Sequence, residues 1–130
     1  MKRRMLIVED DDELLSLLTI GLASPGWTIE TATDAMAGFE KARDIKPFVI
    51  VTDYQMPHFG KGSDMLRALR REPVLAKTPV IFLTSMDLPR VQSQIAADDE
   101  RVRLMSKPPS FKLLRDCIQE LTGVNGAIAP

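Results

Sequence analysis

Two groups of carboxylates follow short apolar runs in this 130-residue chain. Asp53 follows the run 48–52, and a second acidic group, residues 9–12, follows the run 5–8. A short unbroken run rich in β-branched residues is typical of a strand that is buried on both faces, as in parallel sheets. Open sheets of this kind place their functional groups at the carboxyl ends of the strands, so both groups should reach the same edge. The sequence therefore predicts a site for a hard cation, with Asp53 as a candidate acceptor for a transferred group.

Apolar runs alternate with helical patterns along the chain. The strand candidates are residues 5–8, 27–32, 48–52, 79–84 and 102–105. Apolar residues at helical spacing predict helices between the strands. These stripes are Leu14/Leu17/Leu18/Leu22, Ala35/Phe39/Ala42/Ile45, Met65/Leu66/Leu69 and Phe111/Leu114/Cys117/Ile118/Leu121, with a weaker helix over 88–97. Five strand–helix units predict an α/β sandwich on a parallel sheet with right-handed crossovers, and the less apolar run 27–32 is expected near an edge.

Composition predicts one cytoplasmic globular domain. The 17 basic and 18 acidic residues nearly balance, so charge indicates no nucleic-acid partner. No apolar run approaches the ~18 residues that a membrane helix needs, and the run after the basic start is too short for a signal peptide. The single cysteine, Cys117, cannot form an internal disulfide, which favours a reducing compartment. We expect one domain over residues 1–123 and a short tail over 124–130, with no output domain attached.

Four motifs in one order resemble the receiver domain of two-component response regulators. They are Leu6-Ile7-Val8-Glu9-Asp10, Asp53-Tyr54-Gln55-Met56-Pro57, Leu83-Thr84-Ser85 and Lys107-Pro108. Each motif is weak alone, but the four together, each at the carboxyl end of a predicted strand, are specific. The resemblance extends over about residues 4–121. It implies a flavodoxin-like (βα)5 fold, a doubly wound parallel five-stranded sheet in the order 2-1-3-4-5, with the site at the switch point.

The resemblance also implies the roles of the acidic residues. Asp53 would be the phosphoacceptor, which attacks the phosphohistidine of a sensor histidine kinase or a histidine phosphotransfer protein. Glu9 and Asp10 would hold Mg²⁺, Asp10 directly and Glu9 through water. Asp53 and the backbone carbonyl of Gln55 would complete the protein ligands, because Mg²⁺ keeps several waters and needs few carboxylates.

Three further residues complete the expected phosphorylation site. Lys107 would supply a compact positive charge to the phosphoryl oxygens, and Thr84 would supply a hydroxyl that follows them. Pro108 is a candidate for a cis peptide bond with Lys107. Asp11 and Asp12 stand where the first helix should begin, so capping of that helix explains them better than a metal role.

Several other residues have a simpler structural interpretation. His58 lies near the predicted site, but a solvated loop histidine is the expected role. The segment 60–63 (Gly-Lys-Gly-Ser) lacks the glycine spacing of a phosphate-binding loop, and we discount that role. Cys117 lies on the apolar stripe of the last helix and is expected to be an inert buried thiol.

The sequence departs from the family pattern at the expected output surface. The family usually places an aromatic residue three positions before the lysine, and here that position is Leu104. Because Leu104 has no polar tip, we expect the switch to act mainly through the loop after Thr84 and the weak helix 88–97. The turn 98–101 is unusually charged, and Pro109 replaces the usual apolar residue. The partner should therefore be specified on the fourth helix, fifth strand and fifth helix, a face that could also form a homodimer.

Two classes of function agree with these residues to different degrees. The first is a single-domain signalling module that accepts a phosphoryl group and acts on a downstream protein, or passes the group to a histidine phosphotransfer protein. Such a module is not an enzyme, although its phosphorylation and dephosphorylation would be self-catalysed. The second class is a metal-dependent phosphatase of the haloacid dehalogenase type, which needs a second acid where Gln55 stands. A degenerate receiver that only docks is disfavoured by the intact set of site residues.

Overall fold

The computed structural model describes residues 3–56, 61–95 and 98–123. The strands are β1 (Arg3–Val8), β2 (Trp27–Ala32), β3 (Val49–Asp53), β4 (Val80–Thr84) and β5 (Val102–Ser106). The helices are α1 (Asp12–Leu22), α2 (Ala35–Ile45), α3 (Gly62–Arg71), α4 (Leu88–Gln92) and α5 (Phe111–Thr122), with a 3₁₀ turn at Pro73–Leu75. The predicted tail 124–130 lies outside the described residues. Among the described helices, none combines the length and the apolar character that a transmembrane helix requires.

The five strands form one parallel sheet in the order β2-β1-β3-β4-β5, which confirms the predicted fold. Val8 pairs with Thr52, and Asp53 pairs with Leu83, so the strands end at nearly the same level. We call the side of the sheet where the strands end the carboxyl edge, and the opposite side the amino edge. The order reverses between β1 and β3, which places a crevice at the carboxyl edge of these two strands.

Helices cover both faces of the sheet, because successive strand residues point to opposite sides. Leu6 and Val8 of β1 belong to the apolar cluster beneath α2, α3 and α4. Met5 and Ile7 belong to the cluster beneath α1 and α5. Every residue of β3 and β4 is buried, as expected for strands that read as continuous apolar runs.

The edge strands are less buried than the central ones. Most residues of β2 and β5 are only half-buried, which confirms the expectation that β2 lies at an edge. Trp27, the first residue of β2, pairs with Arg3 at the amino edge. Its ring packs edge-on against Phe48, with ring centroids 6.3 Å apart. Phe48 was expected within the third strand, but it precedes β3 and is half exposed because it covers Trp27 from outside.

The first helix buries a slightly different stripe from the predicted one. Leu18 and Leu22 are buried, but Leu17 is 53% exposed. Leu15 packs against the core where Leu17 was expected to do so. Each residue turns an α-helix by about 100°, so a stripe centred on Leu18 accepts Leu15 and Leu22 and leaves Leu17 to one side.

The predicted cap of α1 is present. The carboxylate of Asp11 accepts hydrogen bonds from the backbone N–H groups of Glu13 and Leu14, at 3.0 and 3.1 Å. Asp12 lies in the first turn, where a negative charge is favourable to the helix dipole. Both acids therefore have a structural explanation, as the sequence indicated.

The charged turn before β5 is fixed by an ion pair with α3. Arg70 Nε lies 2.8 Å from Asp99 Oδ2, and both side chains are largely buried. Arg70 also donates hydrogen bonds to the carbonyl oxygens of Leu75 and Thr78. Burial alone would raise the pKa of Asp99, but the hydrogen bonds from Arg70 and from the backbone of Arg101 outweigh it, and the pKa falls below 3.8.

We expect Asp99→Asn to be less stable than the wild type by about 1–3 kcal/mol at pH 7, because Arg70 loses a charged partner. A lowered pKa contributes stability that is present above pH 3.8 and is lost as the pH falls through the pKa of the folded state. The difference between the proteins should therefore shrink at pH 3, as measured by urea unfolding. The control is Asp98→Asn at the exposed neighbour, which should change stability by less than about 0.5 kcal/mol. An equal deficit at both pH values would contradict the prediction.

Candidate functional site

The carboxyl edge gathers five of the predicted site residues. Glu9 and Asp10 directly follow β1, and Asp53 is the last residue of β3. Thr84 ends β4, and Lys107 directly follows β5. The parallel register aligns these strand ends, so residues far apart in sequence meet without any special loop geometry. Gln55, whose backbone carbonyl was predicted as a metal ligand, lies two residues beyond β3.

The ammonium group of Lys107 joins two carboxylates. Its Nζ atom lies 3.0 Å from Asp53 Oδ2 and 3.1 Å from Glu9 Oε1. The Glu9 side chain is fully buried, whereas that of Lys107 is 18% exposed. Asp53 and Glu9 thus share one positive charge, and Lys107 screens their mutual repulsion.

Backbone groups fix the other oxygen of each carboxylate. The N–H of Asp11 donates to Glu9 Oε2 at 3.2 Å, and the N–H of Gln55 donates to Asp53 Oδ1 at 3.1 Å. Both donors lie two residues after the acid that they bind. Each carboxylate is therefore oriented by its own chain segment and by Lys107.

The buried charges shift the pKa values of two groups. Burial raises the pKa of Glu9 above 4.5, and the charge of Asp53 adds to this effect, although the Asp11 backbone and Lys107 oppose it. Burial alone would lower the pKa of Lys107, but its bonds to Asp53 and Glu9 outweigh burial and raise the pKa above 10.5. Lys107 is therefore fully protonated near neutral pH.

The acidic residues fit a hard cation. Glu9, Asp10 and Asp53 each offer a carboxylate oxygen, and these oxygens lie within 4.8 Å of one another. Glu9 Oε1 is buried and, apart from its ion pair with Lys107, accepts no hydrogen bond within the described ranges. Asp10 is exposed, so a cation can reach it from solvent. Oxygen ligands of this kind suit Mg²⁺, which keeps several waters and needs few carboxylates from the protein.

Thr84 is tied to the loop that follows it. Its Oγ1 accepts a hydrogen bond from the N–H of Met86 at 2.9 Å. Its backbone carbonyl accepts a hydrogen bond from the N–H of Lys107 at 2.8 Å, next to the register pair Thr84–Ser106. The Lys107–Pro108 peptide bond is cis, as the sequence suggested. Thr84 and Lys107 are thus held side by side at the ends of neighbouring strands.

Leu104 lies in the middle of β5 and packs against the apolar cluster that contains Phe82 and Val91. It is half-buried and, as the sequence indicated, has no polar group that could change partners. Leu104 also lines a cleft of about 290 Å³ between α4 and β5.

An aromatic residue beside the predicted acceptor has a structural role that was not predicted from the sequence. Tyr54 follows Asp53, is fully buried, and stacks edge-on with Phe82 at 5.3 Å between ring centroids. Its hydroxyl donates a hydrogen bond to Gln94 Oε1 at 2.7 Å. The only signal in the sequence was the aromatic residue type directly after a candidate acceptor.

The residues for which the sequence predicted no role in the site have structural positions, where the structure describes them. Gly62 begins α3 and packs against the rings of Tyr54 and Phe82. Cys117 is half-buried against the core, and burial raises the pKa of its thiol. His58 and Gly60 lie outside the described residues.

Comparisons with known proteins agree with the fold and with the motifs. The family model for the response regulator receiver domain matches residues 5–119. The chain is 33% identical to the transcriptional regulatory protein TrcR of Mycobacterium tuberculosis (strain ATCC 25618 / H37Rv) over 113 residues, which cover 85% of this chain and 42% of TrcR. It is 35% identical to the probable transcriptional regulatory protein TcrX of the same organism over 111 residues, which cover 83% of this chain and 44% of TcrX. The chain thus spans less than half of the length of these curated relatives.

A solved structure shows the same fold. The chemotaxis protein CheY4 of Vibrio cholerae superimposes with a TM-score of 0.82 at 23% sequence identity. The superposition covers 93% of this chain and 99% of CheY4.

Proposed function

Because the chain belongs to the response regulator receiver domain family, we propose that it is a phosphorylation-controlled signalling module whose phosphoacceptor is Asp53. Proteins of this family are signalling domains rather than classical enzymes, and they interact with histidine kinases or phosphotransfer proteins. The observation that carries the proposal is the convergence of Asp53 and Glu9 on the Lys107 ammonium, at 3.0 and 3.1 Å. Incubation with acetyl phosphate and Mg²⁺, followed by mass spectrometry, tests the proposal. The proposal requires that one phosphoryl group is found on Asp53.

In the proposed reaction, a carboxylate oxygen of Asp53 attacks the phosphorus atom of a phosphohistidine on the partner. The new P–O bond forms as the P–N bond breaks, and the electron pair of the broken bond stays on the imidazole nitrogen, which then takes a proton. The hydrogen bond from the Gln55 N–H to Oδ1 and the contact of Lys107 with Oδ2 orient the nucleophile. Positioning of this kind is the main contribution of a protein to phosphoryl transfer.

Charge on the phosphoryl oxygens must be neutralised during transfer. Lys107 already lies at Asp53 with its positive charge and can move with the new group. Glu9, Asp10 and Asp53 would hold Mg²⁺, which when bound supplies additional positive charge to the phosphoryl oxygens. Loss of the group by hydrolysis restores the carboxylate of Asp53, so the module can be used again.

Thr84 is proposed to carry the signal away from Asp53. A phosphoryl group adds negative charge and strong acceptor oxygens beside its hydroxyl. If the hydroxyl turns toward these oxygens, it leaves the N–H of Met86 and frees the loop that leads to α4. Leu104 offers no polar group for the change, so the loop and α4 are the expected route of the signal.

We expect Mg²⁺ to bind weakly, and we expect Asp10→Asn to weaken binding about tenfold or more, because the site loses one of few charged ligands. Trp27 lies at the amino edge, so amide NMR titration is a better measurement than fluorescence. Asp12→Asn is the matched control, since it removes the same charge from the first turn of α1, and it should change the affinity by about twofold or less. Equal affinities of the wild type and Asp10→Asn would remove Asp10 from the proposed ligand set.

The alternative functions can be separated by the fate of the phosphoryl group. A relay intermediate would transfer it from Asp53 to a histidine phosphotransfer protein, which a radiolabelled group would reveal. A phosphatase would release inorganic phosphate from many substrate molecules per protein molecule. Gln55 stands where such phosphatases carry their second acid, and its exposed side chain offers no carboxylate. We therefore favour the signalling module.

The downstream partner is proposed to bind the face formed by α4, β5 and α5. The cleft of about 290 Å³ on this face combines apolar side chains such as Leu88 and Leu104 with the charges of Asp99 and Arg103. A mixed lining of this kind suits a protein segment better than an extended apolar partner. A second copy of the chain on the same face is the alternative occupant, and sedimentation of the phosphorylated protein would reveal it.

A further inference from the structure

The Tyr54 side chain connects the end of β3 to Gln94, two residues after the end of α4. Its hydroxyl donates to Gln94 Oε1 at 2.7 Å, across 40 positions of sequence. The ring is 1% exposed and stacks edge-on with Phe82 of β4. A buried tyrosine hydroxyl needs a partner, so loss of Gln94 would leave it unsatisfied.

The position of the Tyr54 ring is fixed from several directions. The backbone N–H of Tyr54 donates to Leu83 at 2.9 Å, and its carbonyl accepts from the N–H of Gly62 at 2.7 Å. A Cβ atom at Gly62 would lie 2.4 Å from the Tyr54 ring and 2.7 Å from the Phe82 ring. Only glycine therefore lets α3 begin directly against the two rings. Any movement of the backbone at Asp53 is passed to Tyr54 through one peptide bond.

The α4 segment, residues 85–95, is attached to the sheet near each of its ends. At its start, the N–H of Met86 donates to Thr84 Oγ1 at 2.9 Å. At its end, Gln94 accepts the hydrogen bond from Tyr54. Between these points α4 has only five residues and buries only Val91. So short a helix depends on its tertiary contacts, and these two bonds are among them.

We propose that the Tyr54–Gln94 hydrogen bond holds the α4 segment in its resting position and transmits phosphorylation of Asp53 to it. The transmission of phosphorylation to the α4 segment rests on the proposed function. The restraint of the segment in the unphosphorylated protein does not. Both attachments of the segment belong to residues next to the proposed acceptor, because Thr84 ends β4 beside the Asp53–Leu83 pair and Tyr54 follows Asp53. One event can thus release both ends of the segment together. Tyr54, directly after β3, takes the role that Leu104 on β5 cannot fill.

Hydrogen exchange of residues 88–95 tests the proposal with Tyr54→Phe, which keeps the ring and removes only the hydroxyl. Loss of one hydrogen bond should speed exchange of this segment by about two- to tenfold in the resting protein. Gln94→Leu should speed exchange at least as much, because it leaves the buried Tyr54 hydroxyl without a partner. The double variant should show no further increase. The matched control is Gln92→Leu, which changes an exposed glutamine of α4 and should leave exchange within about twofold of the wild type.

A second comparison uses beryllofluoride with Mg²⁺ as the phosphoryl mimic. In the wild type the mimic should speed exchange of residues 88–95, and in Tyr54→Phe this response should be largely lost. The proposal is overturned if Tyr54→Phe exchanges like the wild type at rest, or if its response to the mimic is unchanged.

Labelling of Asp53 by acetyl phosphate, measured in the same two proteins, separates the inference from the proposed function. If the wild type and Tyr54→Phe are both labelled normally and their hydrogen exchange is identical, the inference is refuted but the proposed function is not. Failure of labelling in the wild type refutes the function and, with it, the transmission step.

Discussion

Asp53→Ala is expected to abolish phosphorylation by acetyl phosphate, whereas the wild type gains the mass of one phosphoryl group. Alanine has no oxygen that could attack phosphorus, and Glu9, the nearest buried carboxylate, is held by Asp11 and Lys107. The measurement is intact-mass spectrometry with and without Mg²⁺. Chelation of Mg²⁺ by EDTA should slow labelling of the wild type by about 100-fold or more, because the transferred charge is then less well neutralised.

The control for this experiment is Asp12→Asn, which removes a carboxylate of α1 outside the ion pairs of Lys107. It should be labelled to the same extent as the wild type. A phosphoryl group on Asp53→Ala would identify another acceptor and would remove the basis of the proposed function.

Lys107→Met is expected to lower the free energy of unfolding by about 2–4 kcal/mol at pH 8 in EDTA, because it removes the cation that pairs with two buried carboxylates. Methionine keeps most of the aliphatic stem, so the loss reports the charge rather than the packing. Added Mg²⁺ should recover part of the loss, since a ligand that binds only the folded state stabilises it. Urea unfolding measures both effects.

The deficit of Lys107→Met should also depend on pH. Without Lys107 the pKa of Glu9 rises further above 4.5, because burial and Asp53 already raise it and one opposing interaction is lost. A raised carboxyl pKa gives most stability below pH 4.5 and loses it as the pH rises through the pKa of the folded state. The deficit should therefore grow from pH 5 to pH 8.

The control for this series is Lys112→Met, which breaks an exposed pair with Asp116 and should cost less than about 0.5 kcal/mol. A deficit that does not change with pH would contradict the electrostatic explanation.

The central strands and the meeting of the site residues were predictable from sequence. Unbroken apolar runs identified the buried parts of β1, β3 and β4, because strands that are buried on both faces contain mainly apolar residues. Glu9 directly follows β1, Asp53 ends β3 and Lys107 directly follows β5, so the parallel sheet alone brings these three residues together. The proposed roles of these residues remain predictions that the experiments above test.

Other features depended on contacts that a local pattern does not encode. Whether Leu15 or Leu17 faced the core depended on the rotation of α1 against α5. Asp99 pairs with Arg70, which lies 29 positions away in the sequence. The charge of the turn did not indicate which arginine Asp99 would bind. The Tyr54–Gln94 bond spans a still longer separation and involves residue types that are common on protein surfaces.

The chain contains one tryptophan and one tyrosine, and they lie at opposite edges of the sheet. Trp27 pairs with Arg3 at the amino edge, away from Asp53 at the carboxyl edge, so we expect its indole fluorescence to report unfolding rather than the phosphoryl group. Tyr54 at the carboxyl edge, replaced biosynthetically by fluorotyrosine, would give a single fluorine resonance that follows its bond to Gln94. Folding and switching could thus be recorded as two separate spectroscopic signals from one sample. No residue would have to be replaced by a different natural amino acid.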